Sequence, residues 1–277
     1  MANLSTMLES PTRNQVVERA TSYPYSLPES SYVWVANREL ELVDLHLERL
    51  AETLIRTDEG AVTSLGDYCD QIGIGVKCLE QVRTPVLAYG SNASVEALDR
   101  KFVESPQTSV VPVARARLHD LDVVYSAHFS RYGAIGAALQ ASSGTVANTF
   151  VVFVTDALLR ELHASEPNYH YRRLIDVRVD IEHDVRLDTV HSYVSKHGCL
   201  VLDGEHVALA AVPAEDRHFP ALFERDVLER VRRELAAEVE FETFVYENAV
   251  NQDVARRRTE VLRASARALD WPMGEVD

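Results

Sequence analysis

The chain has 277 residues, 46% of them hydrophobic, with 43 acidic against 28 basic side chains and a formal net charge of −15. That is enough apolar material for one sizeable core with extensions, and the acidic balance disfavours a polyanionic partner over the surface as a whole. Three cysteines, Cys69, Cys78 and Cys199, lack a CxxC spacing, which argues against a disulfide framework or a zinc ribbon and for a reducing cytoplasm.

Residues 1–30 carry Pro11, Pro24 and Pro28 and no periodicity, and read as a loose arm. They lack a basic start followed by an apolar run, so no secretory signal is expected. From Asn37 to Arg56, Leu40, Val43, Leu47, Leu50 and Leu54 recur at steps of three and four, which predicts an amphipathic helix ending before Gly60. Cys69 to Val82 reads as a shorter helical or turn segment. Strands dominate from Thr84: 85–88, 110–113, 121–127, 149–154, 173–181, 191–194 and 206–211. Two short helices, 95–102 and 157–164, interrupt them. A doubly wound sheet needs a helix between most strands, so the pattern predicts an α+β core, a mainly antiparallel small β-barrel with short helices. After Pro220, Phe223, Val227, Val231 and Leu235 mark a helix, and an Arg-rich stretch runs from Val254 to Leu269. The expected division is a helical extension over 1–82, the core over 83–216 and a second helical extension over 217–277. The longest apolar runs, such as Phe150 to Val154, are strand-sized, so no membrane partner is expected. Basic residues are 25 Arg and only 3 Lys, the bias of a GC-rich, bacterial genome.

Two segments carry chemistry. Val86-Leu-Ala-Tyr89-Gly90-Ser91-Asn92 takes the backbone out of a strand, through small and polar residues, into a helix. Such a turn leaves N–H groups uncovered, and the helix start adds unpaired donors and partial positive charge. By itself it is more often only a turn. The second segment runs from Asp156 to Val177. A helix ends at Glu166-Pro167, and a tight aromatic link, Asn168-Tyr169-His170-Tyr171, leads into a strand. An acid held between two rigid elements suits a catalytic base, although by itself such a residue is more often a surface glutamate at a helix end.

Together the segments resemble the gamma-glutamylcyclotransferase-like family over about residues 84–180. Tyr89-Gly90-Ser91-Asn92 matches the loop that opens that family's core. Leu162-His163-Ala164-Ser165-Glu166 aligns with its later acidic motif, and Tyr171-Arg172-Arg173 with the Tyr-x-Arg that follows. Ala137-Ala138-Leu139 and Ser143-Gly144 resemble the middle of the pattern. The chain departs from it at Pro167, where Gly is usual, and at His163, Asn148 and Ala93.

The resemblance implies cyclisation of a γ-glutamyl group to 5-oxoproline with release of an amine or amino acid. This is a metal-free intramolecular acyl transfer without a cofactor. Glu166 is then the general acid and base. Tyr89, Gly90, Ser91, Asn92 and Tyr171 bind a small γ-glutamyl substrate. The alternative is a non-catalytic binding or scaffold protein that keeps the pocket. Further expectations are no nucleic-acid partner and a homo-oligomer built through the helical extensions. His163, Glu166 and His170 do not have a standard zinc-helix spacing, and Pro167 breaks the helix between them. No Gly-x-Ser-x-Gly elbow is present. Arg256, Arg257, Arg258, Arg263 and Arg267 are read as a solvated stripe paired with the chain's own acids.

Overall fold

The computed structural model describes residues 11–102 and 109–274. Residues 1–10 of the expected arm lie outside them. The rest of the arm is ordered by its own sequence. Helix α1 (Arg13–Thr21) starts on a capping box in which Thr12 and Gln15 satisfy each other's backbone N–H groups, and it buries Val17 and Ala20.

The helix expected over residues 37–56 is instead a set of strands. After β1 (Tyr32–Val35) come β2 (Arg38–Asp44), β3 (Leu54–Arg56) and β4 (Val62–Ser64), paired in an antiparallel meander. The cause is a second periodicity in the same residues. Arg38-Glu-Leu-Glu-Leu alternates polar and apolar, and Leu40 and Leu42 are buried while Glu39 and Glu41 are exposed. Helix α2 (Leu65–Gln71) follows, its N-terminus capped by Ser64.

Strand β5 (Thr84–Ala88) and helix α3 (Val95–Lys101) lead to a long hairpin, β6 (Val110–Phe129) and β7 (Ile135–Val154). The hairpin joins segments that read as separate strands in the sequence. A register shift between His119 and Leu121, with Asp120 at φ 60°, interrupts the alternation there. Helix α4 (Asp156–Ser165), β8 (Tyr169–Ile181) and β9 (Val185–Ser195) complete the barrel. Its ring is β6-β7-β5-β9-β8 and back to β6. A closed ring of five cannot alternate in direction throughout, so one pairing must be parallel, and that pairing is β5 with β9. The expected α+β core with a mainly antiparallel barrel holds in part, since four of the five ring pairings are antiparallel and one is parallel. The barrel is mixed, and β1–β4 and short later strands extend it into a 13-stranded sheet.

The C-terminal part supplies α5 (Glu224–Leu235), α6 (Phe241–Val250) and α7 (Gln252–Arg263). Its α7 lies on the end of β6, where the Phe129 N–H donates to Thr259 Oγ1 at 3.2 Å. The central strands are buried on both faces. On β5, Leu87 and Tyr89 face one core. Val86 and Ala88 face a second, formed under α3 and α4 with Tyr32, Trp34, Leu98, Phe102, Leu158 and Leu162. No described helix is long and apolar enough to cross a membrane.

Candidate active site

The site begins where β5 leaves the barrel. Tyr89 continues the inward face of the strand, and its hydroxyl donates to the Tyr193 carbonyl of β9. The chain turns at Gly90 through one 3-10 turn, Ser91–Ala93. Ser94 then caps α3, accepting from the Ala97 N–H at 3.2 Å while its hydroxyl donates to the Ser91 carbonyl at 2.9 Å. Side chain and backbone thus lock the turn that carries Gly90, Ser91 and Asn92.

On the opposite side α4 stops at Glu166, whose N–H closes the last turn on the His163 carbonyl at 3.2 Å. Pro167 cannot continue the helix, and two residues later β8 begins. Glu166 is thereby aimed at the turn. Its Oε1 accepts from Asn92 Nδ2 at 3.1 Å and from Lys101 Nζ at 2.6 Å. Lys101 Nζ also donates to Asn92 Oδ1 at 2.5 Å. The Lys101 and Glu166 side chains are only 8% and 13% exposed, which separates this ion pair from the solvated pairs of the surface.

Tyr89, Gly90, Ser91, Asn92, Lys101 and Glu166 all line one cavity of about 450 Å³. Aromatic side chains form much of its remaining wall. Tyr169 donates to the Ala137 carbonyl at 2.9 Å, and the Ala137 N–H donates to the Tyr23 hydroxyl at 3.1 Å. Burial pushes the phenols of Tyr23, Tyr89 and Tyr169 above their ordinary range, so they stay protonated. His128 is a further wall residue. Its Nδ1 lies 2.7 Å from Ser126 Oγ, and its ring stacks on His197 with centroids 4.7 Å apart. Burial, helped by His197, pushes its pKa down to about 3, so it is a neutral imidazole. Arg100, Arg131 and Tyr132 also line the cavity, giving it a basic side in an acidic protein.

Five of the six expected site residues therefore meet around one cavity. Tyr171 does not line it. It packs between His191, stacked at 5.0 Å, and His163, edge-on at 4.6 Å. Position along the strand, and not the face, separates it from Tyr169. Tyr169 and Tyr171 share a face of β8, but Tyr171 lies farther from the α4 end, beside His163 and beyond the turn. Tyr169 is the tyrosine at the cavity.

Lys101, Tyr23 and His128 have no role in the sequence reading. For Lys101 a signal existed, since it is one of only three lysines and lies one short helix after the turn. Tyr23 and His128 have no local signature. Among the described residues no group of three or more His, Cys, Asp or Glu is placed to hold a metal. The Arg stripe is partly paired internally, Arg258 to Glu247 at 2.8 Å and Arg256 to Asp253 at 2.9 Å.

No family model matches the chain, and no curated protein matches its sequence. Solved structures similar to it include a gamma-glutamyl cyclotransferase, 16% identical, over 70% of this chain and 94% of that one, with a TM-score of 0.33. An uncharacterized protein from Homo sapiens is 17% identical over the same shares, with a TM-score of 0.33. A protein from Arabidopsis thaliana is 20% identical over 41% of this chain, with a TM-score of 0.32, and the match spans 62% of that protein's chain.

Proposed function

We propose that the protein is a cytoplasmic enzyme that cyclises a γ-glutamyl group to 5-oxoproline and releases an amine or amino acid. One observation carries the reading. The Glu166 carboxylate and the donor-bearing turn Gly90–Asn92 line the same cavity, with Asn92 Nδ2 bonded to Glu166 Oε1 at 3.1 Å.

That pair suffices for this reaction. The nucleophile is the substrate's own α-amine and the electrophile its own γ-carbonyl, so holding one rotamer supplies much of the acceleration. No enzyme nucleophile is required. Glu166 takes a proton from the α-ammonium. The amine attacks the γ-carbonyl and closes the five-membered lactam. The proton returns to the leaving nitrogen as the amide bond breaks. The N–H groups of Gly90, Ser91 and Asn92 hold the α-carboxylate or the developing oxyanion. Protonated Tyr89 and Tyr169 shape the pocket without adding charge.

The test is a panel of γ-glutamyl compounds incubated with the protein, with 5-oxoproline detected by mass spectrometry. Wild type should release it, and Glu166→Gln should release it at least about a hundredfold more slowly. Survival of near wild-type release in Glu166→Gln overturns the assignment. A second reading, a binding module that keeps the pocket, draws on the ion pair already seated on Glu166. It predicts ligand retention with no 5-oxoproline from either protein.

A further inference from the structure

Lys101 has no part in the reaction as derived above, yet it is the charged group bonded to its proposed acid and base. A carboxylate presents two oxygens. Two donors converge on Glu166 Oε1, the ammonium of Lys101 at 2.6 Å and the amide of Asn92 at 3.1 Å. Among the described residues none donates to Oε2. Lys101 is itself fixed, because Asn92 Oδ1 accepts from the same ammonium at 2.5 Å. The three side chains form a closed triangle, each bonded to the other two.

The elements explain why the triangle is rigid. Lys101 is the last residue of α3, Asn92 lies in the turn that precedes this helix, and Glu166 closes α4. A cation in the last turn of α3 is favoured by the helix dipole. A nearly buried ammonium also needs a close anionic partner. Helix, turn and acid are thus tied at one point.

We propose that Lys101 is a positioning residue that clamps Glu166 Oε1 and so presents Oε2 to the substrate as the oxygen that takes and returns the proton. The inference rests on the cyclisation reading. It has an opposite that the same geometry could suggest. An ammonium already seated on the acid could act as a built-in competitor of the substrate's ammonium. The two differ in sign. Removing a clamp lowers kcat, whereas removing a competitor lowers KM.

The experiment measures 5-oxoproline release against substrate concentration for wild type, Lys101→Met, Lys101→Gln and Lys101→Arg. Circular dichroism melting confirms that each is folded. With Met or Gln, kcat should fall about tenfold to a hundredfold while KM changes little. Arg keeps a cationic donor for Oε1 and should restore most of kcat.

The other groups around Glu166 stay constant across the series. They are the phenols of Tyr23, Tyr89, Tyr169 and Tyr193, His128 and Glu161 in the wall, His163 behind Tyr193, and Arg100 and Arg131 on the basic side. A merely structural lysine would alter the melting temperature and leave kcat and KM in place. Where Met unfolds the protein at so buried a site, Gln and Arg carry the comparison. An active wild type with kcat unchanged in Gln, or with lowered KM at unchanged kcat, overturns the clamp alone. Absence of 5-oxoproline from wild type on every substrate removes the reaction, and this role with it.

Discussion

Gly90 and Gly136 are held to glycine by two phenol oxygens. A Cβ at Gly90 would meet Tyr23 Oη at 2.5 Å, and one at Gly136 would meet Tyr169 Oη at 2.6 Å and His128 Cε1 at 3.1 Å. Neither glycine has a positive φ, so the requirement is space and not backbone freedom. Gly90→Ala should cost about 1–3 kcal/mol, read as a lowered melting temperature. The same change in a Tyr23→Phe background should cost less, because the obstructing oxygen is gone. Equal costs in both backgrounds would place the strain elsewhere. His128 makes a pH-dependent prediction. Its folded pKa, about 3, lies below its ordinary 6.5. The unfolded chain therefore takes up a proton that the folded one refuses, and stability falls as pH drops from about 6.5 toward about 3. Melting curves across that range should be flatter for His128→Gln than for wild type. The sequence made half of this site legible. Tyr89–Asn92 and Glu166 are recognisable because a turn and a helix end have local signatures. Tyr23 has none, because what places it is a fold that brings residue 23 against residues 90 and 137.

At the scale of elements, the sequence marked most strands and helices of the barrel but not how they join. It failed where two periods overlapped, as in β2, and where an element was apolar on several sides. Helix α6 is the second case. Phe241, Phe244, Val245, Tyr246 and Val250 spread around its circumference and leave no amphipathic stripe to read. Helix α5 begins with a carboxyl that no pattern singles out. Glu224 is almost wholly buried, and its Oε1 accepts from the Ile135 N–H at 2.7 Å, joining α5 to the start of β7. Burial raises its pKa well above the ordinary carboxylate value, only partly offset by that bond. Its contribution to stability is complete below the unfolded pKa, near 4.3, and is lost as pH rises toward the folded value. Glu224→Gln keeps the carbonyl acceptor and cannot ionise. Its melting temperature relative to wild type should therefore be more favourable at pH 7 than at pH 4. A difference independent of pH would show that the carboxyl does not titrate as burial dictates.

Over the whole molecule, the segments before and after the barrel are built into it. β1 pairs with the start of β6 along Tyr32–Val35. Tyr32 and Trp34 are fully buried beside Leu98 and Phe102 of the α3 region. The Tyr32 hydroxyl donates to the Ala93 carbonyl at 2.7 Å, and Trp34 Nε1 to Asp99 at 2.7 Å. Loss of these strands would uncover one of the two cores and free the turn that carries Asn92. Residues 83–216 expressed alone should therefore show no cooperative thermal transition, while the full chain shows one. A sharp transition from the shorter chain would refute this coupling.

Tyr23 precedes the barrel by some sixty residues of sequence, yet its hydroxyl sits between Gly90 and Ala137 inside the cavity. The room available to a ligand is therefore decided partly by chain that takes no share in the chemistry. A bulkier or smaller side chain at that one upstream position would resize the chamber while leaving the acid, its lysine and the turn untouched. The size of the chamber and the acid and turn that face it are in this sense separately inheritable.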